Sequence, residues 1–166
     1  MHRWPLLWFI VFSLSSLLFS ASSFARERVG RLGVGMNNQF INGVPAISFK
    51  LQRSPGFAMG LLAGVDTDSD DGGMGAGFKI YKILFEEPNL NFYLLADAAY
   101  LTDRIQSHSY TGYQFDFGAG TEFNFSGVES LGLSVEFGLS LNKLENDFRA
   151  QTMGSSMIVA GAHFYL

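Results

Sequence analysis

Isolated charged residues recur in segments that are otherwise made of apolar and small residues. Apolar and polar residues alternate in these segments, and each charged residue stands at one of the polar positions. A charge enclosed by a folded chain is costly unless an opposite charge pairs with it, so the mixture of signs predicts a buried ion-pair network. Its predicted members are Arg31, Lys50, Lys79, Asp97, Asp116, Glu122 and Glu136, with His163 near the chain end.

An acidic segment, Asp66–Gly72, is a candidate cation site. Its carboxylates are those of Asp66, Asp68, Asp70 and Asp71, and spaced carboxylates suit a hard ion such as Ca²⁺. The segment departs by one residue from the regular Asp-x-Asp-x-Asp-Gly spacing, and no Glu follows at the expected distance. A solvated acidic loop is therefore the favoured interpretation, with a bound cation as the alternative.

Nucleophilic catalysis requires a serine within reach of a histidine that an acid orients. Ser107-His108-Ser109 places both serines directly beside the histidine, and hence on the opposite strand face. His163 has no serine two residues away. The sequence therefore predicts no catalytic site, no cofactor and no metal centre.

The composition is unusual for a soluble domain. Charged residues make up 16% of the 166-residue chain and aromatic residues 15%, with 19 Gly and a net charge of −4, whereas about 25% charged residues is typical of soluble domains. The acidic balance argues against a nucleic-acid partner. Because the chain has no Cys, it has neither a disulfide framework nor a lipoprotein anchor.

The first 25 residues have the pattern of a secretory signal peptide. His2 and Arg3 precede an apolar run that ends at Phe19, and small residues then lead to Ala25. This arrangement predicts cleavage before Arg26. We therefore divide the chain into a signal peptide, 1–25, and one domain, 26–166.

Apolar residues recur at every second position over most of that domain. From Tyr113 to Phe125 and from Leu131 to Leu141 the alternation is nearly unbroken, which predicts two strands joined by Ser126–Ser130. Less regular alternation predicts six further strands, around 32–36, 47–51, 57–65, 74–80, 90–98 and 158–166. A turn at 86–89 would place Lys79 roughly opposite Asp97.

The connections alternate in length. Tight turns at 53–56, 86–89 and 126–130 are separated by longer polar segments at 37–43, 66–73, 102–112 and 142–154. Short turns at one end and longer loops at the other are typical of an antiparallel up-and-down transmembrane β-barrel, here with about eight strands.

The direction of the apolar face separates two kinds of barrel. A soluble, lipocalin-like barrel would point it inward, but about eight strands enclose too little volume for so many Phe and Leu side chains. Outward-facing apolar residues in lipid, with small and charged residues inside, fit the composition better. Aromatic residues near the strand ends, including Phe164 and Tyr165, are expected to form interfacial girdles.

The domain resembles the superfamily of small eight-stranded bacterial outer-membrane β-barrel proteins. The most specific part of the likeness is the last strand, 157–166, which alternates apolar residues and has an aromatic residue, Phe164, near its end. In that superfamily the barrel-assembly machinery recognises such a strand. The resemblance implies that Phe164 and Leu166 form the assembly signal, although Leu166 stands where Phe is usual.

The resemblance implies an exported protein of the cell outer membrane. We expect a monomer that contacts membrane lipid and lipopolysaccharide and is inserted by the assembly machinery. The predicted role is non-enzymatic, either envelope-structural or in surface interaction through the extracellular loops. The alternatives are a small solute pore, a lipid-modifying enzyme and a soluble lipocalin-like binder. The enzymes of this architecture carry a His-x-Ser-Asn element that this chain lacks.

Overall fold

The computed structural model describes residues 29–144, 147–154 and 157–166, which form one antiparallel sheet of nine strands. The predicted signal peptide, 1–25, lies outside these residues. The strands are β1 (Leu32–Asn37), β2 (Ala46–Ser54), β3 (Phe57–Asp66), β4 (Gly73–Glu87), β5 (Leu90–Ile105), β6 (His108–Phe125), β7 (Val128–Leu144), β8 (Asp147–Thr152) and β9 (Val159–Tyr165). No helix in the described ranges is long and apolar enough to cross a membrane.

The sheet closes on itself into a barrel. Each strand from β1 to β7 pairs with the next, β7 pairs with β9, and β9 returns to β1. β8 pairs with Leu139–Leu144 of β7, and β9 pairs with Leu131–Glu136 of the same strand. β8 and β9 are thus two halves of one interrupted strand, and the predicted fold, a closed antiparallel barrel of eight strands, is confirmed.

The two ends of the barrel differ, as the sequence predicts. The tight turns β2–β3, β4–β5 and β6–β7 lie at one end, here called the turn end, together with Leu32 and Leu166. The other end, the loop end, carries the connection 38–45 and the acidic loop 67–72.

Two of the four predicted long loops are wrong. Most of 102–112 is strand, because β5 and β6 stay paired up to Ile105 and His108. Gln106 and Ser107, at φ of 50° and 66°, form the tight turn between them. Likewise β7 and β8 pair through much of 142–154. A polar sequence can remain paired in a sheet that continues beyond its core, so polarity alone misplaced the strand ends.

Side chains point alternately inward and outward along the strands of the barrel wall, whereas residues 148–152 of β8 are all exposed. Large apolar residues such as Phe117, Phe137 and Leu139 point outward and are more than half exposed. Most inward positions carry polar, charged, tyrosine or glycine residues, and two small clusters of buried apolar residues, which include Leu62 and Leu95, lie among them. The structure therefore has the reverse of the apolar interior that a soluble barrel needs.

The prediction that Tyr165 belongs to an interfacial aromatic girdle is wrong. Its neighbour Phe164 points outward, but Tyr165 points into the lumen and is 1% exposed. Gly33 and Gly132 make room for its ring, since a Cβ at either position would approach ring atoms to 2.9 and 3.1 Å. The alternation of the last strand already requires this direction, because residues 164 and 165 must face opposite sides.

Candidate functional site

Most of the predicted charged residues lie inside the barrel. Lys50, Lys79, Asp97 and Asp116 fall on one row of paired residues that crosses β2 to β6, with Gly60 between the two lysines. Lys79 is the direct partner of Asp97, close to the register that the turn position predicted. All four side chains are at most 5% exposed, and so are those of Glu122, Glu136 and His163.

Lys50 and Glu122 form an ion pair across the lumen. The Lys50 Nζ lies 2.6 Å from a Glu122 carboxylate oxygen, and the Tyr165 hydroxyl donates to the same carboxylate at 2.9 Å. The Lys50 ammonium also lies 4.5 Å from the ring centre of Tyr81 and 4.8 Å from that of Tyr93. Tyr81 and Tyr93 thus place their rings beside the cation, while Tyr165 satisfies the anion.

A second ion pair joins Lys79 to Glu136. The Tyr93 hydroxyl donates to the other Glu136 oxygen at 2.8 Å. Lys79 donates as well to the Gln39 side-chain oxygen at 2.7 Å. The two pairs connect strands that are not neighbours in the sheet, so they tie opposite walls of the barrel together.

The connection between β1 and β2 folds into the lumen instead of outward. Gln39 and Phe40 are fully buried there. The Gln39 amide bridges the two charge signs, accepting from Lys79 and donating to Asp116. Gln114 holds the backbone of the same loop through its contacts with the Gln39 carbonyl and the Ile41 N–H, both at 3.1 Å. This inserted loop, residues 38–45, fills the loop end of the lumen.

Two predicted members of the network depart from the expected pairing. Asp97 lies opposite Lys79, but neither of its carboxylate oxygens accepts a hydrogen bond within the part of the chain that the structure describes. Lys79 turns instead to Glu136 and Gln39. Arg31 lies at the turn end, where it donates to the carbonyls of Tyr165 and Leu166 at 2.5 and 3.1 Å. Its place just before β1 brings it to the seam of the barrel, so its predicted place in the lumen network is wrong.

The acidic loop is organised by its own backbone. The Asp68 carboxylate accepts from the N–H groups of Asp70 and Asp71 at 2.8 and 3.2 Å. Those hydrogen bonds, foremost the one from Asp70, lower the pKa of Asp68 from its usual value, and the nearby Arg104 charge adds to the effect. Ser107 at the β5–β6 turn donates to Asp70 at 2.9 Å.

These contacts occupy oxygens that a cation would need. In residues 29–144, 147–154 and 157–166, no three acidic or histidine side chains are placed to share a metal ion. Asp66, Asp68, Asp70 and Asp71 are therefore not assembled into a metal site, and a cation at this loop stays a prediction.

The histidines are placed differently from each other. His108 is exposed, and its Nδ1 lies 3.0 Å from the Gln106 carbonyl. His163 is buried in the lumen, where its Nε2 lies 2.8 Å from the Ser48 hydroxyl. Ser48 and His163 are the two register partners of Gly35, where a Cβ would lie 1.8 Å from the Ala162 carbonyl oxygen. The His163 Nδ1 has no partner among the described residues, so the orienting acid of a catalytic triad is not found there.

Sequence reasoning missed several residues of the lumen. The Ser48–His163 contact crosses strands that are distant in sequence, and the inserted loop has no periodic pattern that could reveal Gln39. The two residues of the assembly signal lie on the outer surface at the turn end, where Phe164 is 53% and Leu166 70% exposed. Their recognition by the assembly machinery stays a prediction.

Comparison with known proteins identifies the fold. No protein-family model matches the chain, and no curated protein matches its sequence significantly. The crystal structure of the N-terminal β-barrel domain of Pseudomonas aeruginosa OprF is similar, with a TM-score of 0.63 and 14% sequence identity. The likeness covers 84% of this chain and 100% of that domain. At this identity it shows the shared barrel fold.

Removing one partner of a lumen ion pair should destabilise the barrel strongly. Lys50→Met leaves the Glu122 carboxylate enclosed without its cation, and we expect a loss of about 3–5 kcal/mol in the free energy of unfolding. Adding Glu122→Gln removes the stranded charge and should recover part of that loss. Urea unfolding in lipid vesicles measures both, with Lys143→Met on the outer wall as the control. An equal loss in the single and double variants would show that the pair is not coupled.

The acidic loop offers a separate test. The pKa of Asp68 is lowered. The ionised Asp68 carboxylate should therefore order the loop fully at pH values above the usual pKa of Asp, and this effect should be lost as the pH falls through the lowered pKa. Asp68→Ala should speed amide hydrogen exchange at Asp70 and Asp71 at neutral pH. Asp68→Asn keeps an acceptor oxygen and should retain most of the protection. Equal exchange in all three proteins would contradict the role given to this carboxylate.

Proposed function

We propose that this chain is a non-enzymatic outer-membrane β-barrel with an envelope-structural or surface-interaction role. The observation that carries the proposal is the inverted distribution of polarity. Outside are large exposed side chains such as Phe117 and Leu139, and inside are the ion pairs Lys50–Glu122 and Lys79–Glu136. The likeness in fold to the β-barrel domain of OprF supports the same proposal.

The physical reason is that the outer and inner faces of the barrel wall favour different surroundings. An outer wall of this apolarity would be exposed unfavourably to water, whereas lipid accommodates it. In lipid each backbone N–H and C=O must also find a partner within the protein, which a closed barrel provides. The strands β4 to β7, of 15 to 18 residues, exceed the roughly 9–11 residues that a tilted membrane strand needs. Their outer portions can therefore project beyond the bilayer.

The proposal includes the route and the orientation. Residues 1–25 would direct export, and Phe164 and Leu166 would present the last strand to the barrel-assembly machinery. The turn end would face the periplasm, and the loop end would meet lipopolysaccharide and the outside. The protein would act as a monomer, with its projecting hairpin β5–β6 and acidic loop as the surface that contacts partners.

The filled lumen favours a structural role over an open pore. Gln39 and Phe40 are fully buried in the loop end, and Tyr81, Tyr93 and Tyr165 occupy the interior nearer the turn end. An eight-stranded barrel leaves little space between such side chains. Solute passage would require the inserted loop to leave the lumen.

Membrane location can be tested by cell fractionation followed by gel electrophoresis of unheated and boiled samples. We expect the chain in the outer-membrane fraction, with a mobility that changes on boiling because the closed barrel resists unfolding in detergent. A soluble periplasmic protein with a single mobility would contradict the proposal.

Planar-bilayer recording distinguishes the structural role from the pore. The wild-type barrel should conduct little, because its lumen is filled. Gln39→Ala removes the side chain that bridges Lys79 and Asp116 and should raise conductance if the inserted loop is the barrier, whereas Lys143→Met on the outer wall leaves the lumen unchanged and should not. Steady conductance of the wild-type protein would instead support a pore.

A further inference from the structure

The outward-facing wall carries two cations at its turn end. Arg53 lies at the end of β2 and Lys82 on β4, and both side chains are exposed. Phe57 on β3 pairs with Lys82 on one side and, on the other, with Ser54, the residue after Arg53. Within the described residues neither cation has a hydrogen bond or an ion pair. The Lys82 ammonium lies beside Gly56 of the β2–β3 turn.

An apolar groove of about 180 Å³ adjoins Lys82 on the same wall. It is lined by Phe57, Ile80, Leu94 and Ala96. Ala96 lies between Ile80 and Phe117 in the register, so a small residue here leaves a depression between two large ones. The groove thus combines an apolar channel with a positive charge at one end.

The position of Lys82 near the turn end suits a contact with lipid phosphate. A lysine facing lipid is unfavourable near the bilayer centre and tolerated near the interface, where its chain can extend toward phosphate groups. The acidic residues of the same strand, Glu86 and Glu87, lie four and five positions further along β4, roughly 13 Å or more from Lys82. Neither carboxylate neutralises the pair of cations at close range.

We propose that Arg53 and Lys82 bind the phosphate of a phospholipid in the leaflet around the turn end, with one acyl chain in the adjoining groove. The proposal rests on the membrane location given above. The two cations, on β2 and β4 on either side of β3, supply positive charge to the single negative charge of a phosphodiester. The apolar lining formed by Ile80, Leu94 and Ala96 matches a hydrocarbon chain. A soluble phosphate would leave this lining without a ligand.

Native mass spectrometry of the full chain, folded in non-ionic detergent and titrated with dioleoyl phosphatidylglycerol, tests the site. The double variant R53Q/K82Q should bind the lipid more weakly, by about fivefold for each cation removed. The matched control K143Q/R149Q removes the same charge at the loop end and should leave the affinity unchanged. Equal weakening in both double variants would overturn the proposal, because it would show an unspecific response to net charge.

A second variant tests whether the apolar groove contributes to lipid binding. Ala96→Phe fills the depression without altering charge and should weaken the diacyl lipid while leaving competition by soluble glycerol 1-phosphate unchanged. If glycerol 1-phosphate binds as tightly as the diacyl lipid, the cations bind phosphate alone and the lipid site is overturned. The mobility change on boiling checks that every variant is folded.

Failure of this proposal can be separated from failure of the proposed function. A wild-type chain that does not insert into vesicles would contradict the membrane location itself. A wild-type chain that inserts, but binds phosphatidylglycerol no better than R53Q/K82Q, would overturn the lipid site and leave the membrane location intact.

Discussion

The narrow interior of an eight-stranded barrel is the constraint on which the rest of this structure depends. Inward side chains must share a small volume, so a charge among them is costly unless it is paired at short range. Lys50–Glu122 and Lys79–Glu136 meet that requirement across the lumen. With the polar groups inside, the large apolar residues are left for the outer face, and the barrel acquires its inverted character.

The same constraint explains the combination of tyrosine and glycine in the lumen. Tyr165 fits because Gly33 and Gly132 bring no side chains toward its ring, and a Cβ at Gly120 would lie 2.9 Å from the Tyr93 ring. The phenol hydroxyls then reach the carboxylates at the centre. The inserted loop completes the filling, since Gln39 can satisfy both a lysine and an aspartate where another ionised group would need a further counter-charge.

The sequence contained most of the fold and part of the site. A period of two residues predicts strands and decides which face each residue takes, so the inward direction of Lys50, Lys79, Asp97 and Glu136 could be read from it. The position of a turn sets the approximate register of its hairpin. Lys79 and Asp97 are therefore expected roughly opposite each other.

Contacts between distant strands could not be read in that way. Whether Lys79 pairs with Asp97 or with Glu136 depends on the stagger of the closed barrel, which no local pattern encodes. The inward fold of Gln39 depends on its fit among side chains from several strands. The extent of β5 and β6 was underestimated because polar residues pair in projecting hairpins as readily as apolar ones do in the wall.

The direction of the apolar face is the central claim, and fluorescence quenching by brominated lipids tests it most directly. With Trp4 and Trp8 replaced by Phe, a single tryptophan is introduced either at Phe117, which points outward, or at Tyr81, which is 2% exposed in the lumen. We expect strong quenching of Phe117→Trp in vesicles and little quenching of Tyr81→Trp. Quenching of the lumen position alone, or of neither, would contradict an apolar wall that faces lipid.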